Sequence, residues 1–465
     1  MRNRIRQAIR EHPLIPPILE EAALRNEPVY LVGGVLRDFG LGLQPKDLDF
    51  ATLRPYEMAL YFAERYASRI VPLGKEATPT YRIPLEGLRM DWVGLHNGSL
   101  ESDLARRDFT VDAIGYDPES ARILDPTGGV RDLEGKCIRM ASASSFSDDP
   151  VRILKAYRLL AQLPGFHLDP ETEKALAAQA PALMDVAPER LQVELERLFR
   201  ALRPAAAVPA MAASGVLFVL LPELKPLRGL DQNDYHHTDA FSHSLEALAF
   251  CDEPLRFPRE MALPVFTEDQ ILVLRLAALL HDTGKWATRS VGEDGRVHFY
   301  GHPKPSADTA LEVLKRLRFS NSVAHAVSEL CLNHLRPLAL IKTAPRKTAI
   351  RRLIHSMGDL LPLLLALAYA DKHAAKGKDR EENLQDLKYL SKEVMDTALL
   401  EGPELRHLPK LVDGLQAMTV LGLKKPGPDL GKALDALMER QVEGSITDRA
   451  AAEAFLKDWA KKNLR

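Results

Sequence analysis

The sequence predicts an α+β protein: a small mixed α/β head with an antiparallel-type sheet and flanking helices, then a mostly α-helical neck, body, histidine-rich domain and tail. Three observations predict it. Brief β-rich runs fall between residues 29 and 124, whereas beyond Asp149 nearly every segment has helical periodicity. Ten of the 14 histidines lie between His236 and His373, where an even spread would place about four. The chain of 465 residues, 46% hydrophobic and 27% charged, is long and apolar enough for two to four domains with real cores.

The elements follow in order. Residues 4–25 read as an amphipathic helical lead-in carrying Ile5, Ile9, Ile18 and Leu19, interrupted by Pro13, Pro16 and Pro17. Strands are expected at 29–32, 47–50, 81–83, 88–93, 113–116 and 122–124, with a helix near 55–67. Helices are expected at 151–163, 170–178 and 188–201, and on to the C-terminus, with one extended excursion at 295–301. This divides the chain into a lead-in (1–28), a head (29–140), a neck and body (141–230), a histidine-rich domain (231–380) and a tail (381–465). No fixed-period repeat or long linker interrupts them.

Composition excludes several classes. No apolar run reaches the roughly 18 residues of a membrane span, and the first residues lack a signal peptide's apolar stretch, so a cytoplasmic protein with no membrane partner is expected. Cys137, Cys251 and Cys331 are scattered and odd in number, which suits reduced, buried thiols better than disulfides or zinc. Lys+Arg 62 against Asp+Glu 64 leaves a net charge of -2, so a nucleic acid would need a local basic face. Basic stripes at Arg190, Arg197, Arg200 and Arg203, and along Arg346-Lys-Thr-Ala-Ile-Arg-Arg, are candidates for one.

The densest chemistry is in Leu31-Val-Gly-Gly-Val-Leu-Arg-Asp and the Lys46-Asp-Leu-Asp-Phe that follows. Gly33 and Gly34 let a phosphate approach the backbone where a strand gives way to a helix N-terminus, with Arg37 on that helix. Asp47 and Asp49 are two apart in a strand, so both carboxylates project from one face and suit divalent metal, as nucleotidyl transfer needs. Asp91, on a later strand, is the candidate third ligand.

These motifs resemble the nucleotidyltransferase superfamily, specifically bacterial CCA-adding enzymes and their poly(A) polymerase relatives. Asp103-Leu-Ala-Arg-Arg-Asp resembles the family's second motif, implying triphosphate and ribose roles for Arg106, Arg107 and Asp108. Leu124-Asp-Pro-Thr-Gly-Gly resembles its hinge, around Asp125, Gly128 and Gly129. Asp148-Asp-Pro-Val-Arg, continuing through Lys155 to Arg158, resembles the base-reading neck, and Pro188-Glu-Arg-Leu the segment in which Glu189 and Arg190 brace it. Asp149 and Arg152, three apart at a helix start, offer an acceptor beside donors, which suits the amino group and ring nitrogen of both cytosine and adenine. Asp148, Lys155 and Asp112 stand where the family usually has Glu, Arg and Asn. The 57 residues from Asp49 to Arg106 are short for the family, in the region of a loop needed for the final adenosine. No Arg-x-Glu follows Asp91.

The histidine-rich segment resembles HD-type metal-dependent phosphohydrolases. His243, the His281-Asp282 pair and Asp371 have the spacing, His302 and His334 match the extra histidines of two-metal sites, and Lys285 is a candidate phosphate holder. His236, His237, His298, His325, His355 and His373 are taken as ordinary histidines. Leu421-Gly-Leu-Lys-Lys-Pro-Gly-Pro resembles the C-terminal segment of the same family, with Gly427 and Pro428 before a helix start.

The resemblance implies an enzyme adding C and A from CTP and ATP to the tRNA 3′ end and acceptor stem. It also implies Mg²⁺ in the head and a transition metal in an HD domain acting on RNA ends. Alternatives are a CC-only, A-only or poly(A)-adding enzyme, and an HD hydrolase with a non-catalytic RNA-binding head.

Overall fold

Seven strands of the head form one mixed sheet: β1 (Val29–Val32), β2 (Asp47–Thr52), β3 (Val71–Leu73), β4 (Thr80–Leu85), β5 (Leu88–Gly94), β6 (Gly115–Asp117) and β7 (Arg122–Leu124). Their order is β3-β4-β5-β2-β1-β6-β7. Neighbours are antiparallel except β2 and β5, which run parallel in a register that sets Asp49 opposite Asp91 and Asp47 opposite Arg89. The computed structural model describes residues 1–74, 79–232, 238–343, 347–375, 377, 379–406 and 408–464. His236, His237 and Arg346 lie outside the described residues.

The chain divides into two units, Met1–Pro222 and Glu223–Arg465. In the first, helix Pro55–Arg65 packs on the sheet through Phe62, stacked on Trp92 at 5.2 Å, with Phe50 against Trp92 at 4.7 Å. All three rings are fully buried and add stacking to a large apolar burial. The lead-in is two helices, Arg2–Glu11 and Ile15–Leu24, because Pro13 ends the first while Pro16 and Pro17 sit in the first turn of the second, where proline is tolerated. Two strand expectations need correction: Ala113 and Ile114 leave a 3₁₀ turn (Thr110–Asp112) before β6 begins, and the short, mostly exposed β3, with Pro72 at its centre, went unread. The neck and body follow as helices Arg152–Gln162, Pro170–Gln179, Pro188–Arg200 and Pro204–Ala213.

The second unit is helical apart from a two-stranded ribbon, Ser290–Val291 with Val297–His298, at the expected excursion. The stretch Lys347–Ala374 is long and apolar enough to cross a membrane by length and composition, contrary to the expectation that no such run exists. Of its most apolar window 67% is buried within this unit, the pattern of a core helix. Gly427 caps the tail helix Pro428–Glu443, which shares a small core with Gly414–Leu421 and Arg449–Asn463 through Ala417, Leu437 and Leu456. All three cysteines are free and buried, and burial pushes the Cys251 thiol up to about 12.

Candidate functional site

In the head, β1 delivers the chain to Gly33, whose φ of 84° is open to glycine, and helix Gly34–Leu41 starts there. A Cβ on Gly33 would lie 2.6 Å from Arg107 Nη1 and 3.1 Å from Asp49 Oδ2, so the glycine lets a guanidinium and a carboxylate flank bare backbone. Beside it stand Asp47, Asp49 and Asp91. Arg89 binds both oxygens of Asp47 at 2.5 and 3.0 Å, and Arg82 binds both of Asp91 at 2.8 and 2.6 Å. Among the described residues no cation ion-pairs with Asp49. Burial raises its carboxyl to about 7, with Asp91 and Asp47 adding to the rise and Arg107 opposing it. Three hard carboxylates with one under-compensated member fit a cation such as Mg²⁺, which would compete with Arg82 and Arg89 for oxygens.

The arginines read as nucleotide ligands do not all face one place. Arg107 is held by Asp103 at 3.1 Å, and exposed Arg106 lies 2.5 Å from His96 Nδ1. Arg37 turns inward to Asp38 (2.8 Å) and Asp112 (2.5 Å), so its place is in the fold behind the phosphate turn. Lys155 joins the same network, binding Asp108 and, at 3.1 Å, Asp112. Arg158 reaches Glu194 at 2.7 Å and ties two neck helices together.

Asp149 needs a correction. It is extended, outside the helix that starts at Arg152, so the two side chains do not share a helical face. Its carboxylate is instead gripped by Arg190 at 2.7 and 3.0 Å, while Arg152 donates to the Ser145 carbonyl at 3.3 Å. The basic stripes are also neutralised: Arg197 pairs with Glu194, Arg200 with Glu196, Lys347 and Arg351 with Glu401, and Arg352 with Glu443. Among the described residues these pairings leave the stripes less bare than expected, with Arg203 exposed beside them.

The second unit brings all six histidine-region ligands together. His243, His281 and Asp371 form one buried triplet, and Asp282, His302 and His334 another, each with its donor atoms within 4.8 Å. Asp282 joins them: Oδ2 lies 3.2 Å from His281 Nε2, and Oδ1 lies 3.2 Å from His302 Nε2. His243 lies within helix Ala240–Phe250, whereas His281 and His334 end helices and His302 begins one. There the ring Nδ1 atoms meet carbonyls of Ala278, Phe299 and Cys331 at 2.9, 2.9 and 2.7 Å. A carbonyl only accepts, so each Nδ1 carries its proton and turns Nε2 inward. His302 Nε2 and His334 Nε2 then face each other at 3.2 Å, and two lone pairs at that distance call for a cation between them.

The His281 and His334 rings are shifted in opposite directions. Burial works against the charged ring of His281, but Asp282 and Asp371 outweigh it and raise its pKa to about 10, whereas burial beside His281 drops His334 to about 3. Imidazoles with carboxylates suit a divalent transition metal. Lys285 is committed to Asp282 and Gln232, both at 2.6 Å, and lies on the wall of a cavity of about 670 Å³ that opens onto the cluster. Sequence reasoning missed Gln232, which carries no motif, and His298, which lines that cavity. It also missed Arg82 and Arg89, though Arg89 shares the strand face of Asp91 by simple alternation.

Comparison with known proteins matches three family models: Poly A polymerase head domain at 29–139, Probable RNA and SrmB-binding site of polymerase A at 165–227, and HD domain at 240–376. An A-adding tRNA nucleotidyltransferase of Deinococcus radiodurans is 34% identical over 97% of this chain and 99% of its own. A CC-adding tRNA nucleotidyltransferase of Thermus thermophilus is 34% identical over 92% and 93%. A multifunctional CCA protein of Azoarcus is 32% identical over 76% and 85%. Among solved structures, a CCA-adding enzyme with CTP superposes with a TM-score of 0.58 at 20% identity, over 99% of this chain and 98% of that one. The Thermotoga maritima CCA-adding enzyme complexed with tRNA gives 0.55 at 20% identity, over 98% of each.

Proposed function

Because the chain belongs to the tRNA nucleotidyltransferase/poly(A) polymerase family, we propose that it extends the 3′ end of tRNA with C and A nucleotides drawn from CTP and ATP. The observation that carries the reading is the pairing of β2 and β5, which sets Asp49 beside Asp91, with Asp47 on the same face and Gly33 and Arg107 adjacent. The terminal 3′-hydroxyl gives up its proton to solvent, its oxygen bonds to the α-phosphorus, the bond from that phosphorus to the bridging oxygen of the β-phosphate breaks, and pyrophosphate leaves. Divalent metal bound by the carboxylates would lower the hydroxyl pKa and stabilise the leaving pyrophosphate. Arg107 and the backbone at Gly33 hold the triphosphate, and Arg106 and Asp108 contact triphosphate and ribose. Asp149, oriented by Arg190, accepts from the exocyclic amine of cytosine or adenine, and Arg152 donates to the ring nitrogen.

A second reading, addition of CC alone or A alone, is favoured by the short span from Asp49 to Arg106 and by relatives named for each half-reaction. Labelled CTP and ATP, offered separately and together with Mg²⁺ to tRNA transcripts ending before the tail, after CC and after CCA, separate the readings. Three additions stopping at CCA are expected. A stop at CC, or addition only to CC ends, selects the second reading, and no incorporation rejects both.

For the second unit the proposal is a phosphohydrolase acting on RNA ends, supported by the six converging ligands. A bound divalent transition metal would supply the activated water. Water oxygen bonds to phosphorus, the ester bond to a ribose oxygen breaks, and that oxygen takes the proton. Lys285, paired with Asp282, lies where the phosphate arrives.

A further inference from the structure

The cavity over the six-ligand cluster has a wall that the hydrolase reading leaves unexplained. The ribbon ending at His298 carries Tyr300, which is 77% exposed and therefore contributes little to any core. Its ring is nonetheless held in one orientation, stacked on His298 with centroids 4.9 Å apart and planes 13° from parallel. The mount is rigid on its other side too. Phe299, between them, receives hydrogen bonds on its carbonyl from both the backbone N–H (3.3 Å) and the Nδ1 (2.9 Å) of the ligand His302. The aromatic pair is thus fixed to the metal cluster through a single peptide carbonyl.

We infer that the His298–Tyr300 stack is a docking platform for the base of a nucleoside whose ribose-linked phosphate sits at the six-ligand cluster. The inference rests on the phosphohydrolase reading of that cluster and adds a base-binding subsite to it. A flat ring pre-stacked with its outer face open suits any base, because every base has a π face. The cavity of about 670 Å³ falls within the range of small-ligand sites. Its lining carries Lys285, Lys342 and Lys372, which answer one phosphate, and beyond the cluster carboxylates also Asp379, Glu382 and Asp386, which accept from ribose hydroxyls or an exocyclic amine and disfavour a polyphosphate chain. The fitting ligand carries a single phosphate on its ribose, either as a free nucleotide or as the last nucleotide of an RNA.

Calorimetric binding to the full-length protein loaded with Mn²⁺ tests this with adenosine 3′-monophosphate, base-free ribose 5-phosphate and a short RNA ending in a 3′-phosphate. Tyr300→Ala should weaken the adenosine probe about tenfold or more and leave ribose 5-phosphate unchanged, and Tyr300→Phe should bind like wild type. A matching loss for the RNA assigns the site to RNA ends, and a loss confined to the mononucleotide assigns it to free nucleotides. Equal affinity of wild type and Tyr300→Ala for the adenosine probe and the RNA overturns the platform. The hydrolase reading fails separately: base-dependent binding without phosphate release leaves the platform standing and removes the catalysis, while release that Tyr300→Ala does not alter does the reverse.

Discussion

Two buried contacts in the head show how single residues set the site. Gly129 lies on helix Gly129–Glu134, and a Cβ there would sit 2.0 Å from the Thr110 carbonyl oxygen, backbone that cannot swing aside. Gly129→Ala should therefore cost about 1–3 kcal/mol, read as a lower denaturation midpoint with an unchanged slope. Asp112 is the second case. Burial alone would raise its carboxyl, but Arg37 and Lys155 outweigh that and hold it well below the usual range. A folded pKa below the unfolded value of about 3.9 means that the stabilisation is present above roughly pH 5 and is lost as pH falls further. Asp112→Asn should cost about 3 kcal/mol at pH 7 by leaving Lys155 and Arg37 one partner short. It should also flatten the fall in stability between pH 5 and 3 measured by denaturant melts, and an unchanged slope would contradict this account. Lys155 and Asp112, two of the positions that depart from the family pattern in the sequence, are in contact at 3.1 Å, so they act as one pair.

At the scale of elements, the second unit places ligands at helix ends, where a backbone carbonyl is free to fix each imidazole tautomer. Among the described residues Asp282 is the carboxylate that reaches both triplets, through different oxygens. Elemental analysis of purified protein should find two transition-metal ions per chain, with Asp282→Ala losing both and His334→Ala losing one. Loss of a single ion from Asp282→Ala would refute the bridging role. Ligand identity was legible in the sequence because imidazoles and carboxylates at these spacings have few other uses. The helix-end placement was not, since the apolar residues before His281 continue a helical pattern that the turn at Asp282 breaks. In the head, Gly33, Asp47 and Asp49 were legible from local pattern, and the strand carrying Asp91 from its β-rich run. The arginine pairings were not. Arg37 and Arg197 read as phosphate ligands until their acidic partners are placed, whereas Arg190, read both as a neck brace and as part of a basic stripe, pairs with Asp149 of the neck. Asp149 was misplaced because helical spacing from Arg152 was carried back three residues, ahead of the helix start.

At the scale of the whole molecule, one chain holds two clusters built from different donors, in units whose cores are separate. The head offers oxygen-only ligands and three carboxylates partly covered by arginine. The second unit offers four imidazoles with two carboxylates, all buried. Hard and borderline donor sets select different ions, so the two activities should separate by metal as well as by mutation. Asp47→Ala/Asp49→Ala should abolish nucleotide incorporation into tRNA and leave the transition-metal content and phosphate release of the second unit intact, because neither residue belongs to that unit. His281→Ala/Asp282→Ala should do the converse, keeping Mg²⁺-dependent incorporation while losing bound transition metal. Incorporation by each variant at single-nucleotide resolution, alongside metal content and phosphate release, checks both directions. If the His281→Ala/Asp282→Ala protein remains folded yet loses incorporation, the two centres are coupled, and the head's chemistry depends on the metal cluster rather than on its own three aspartates.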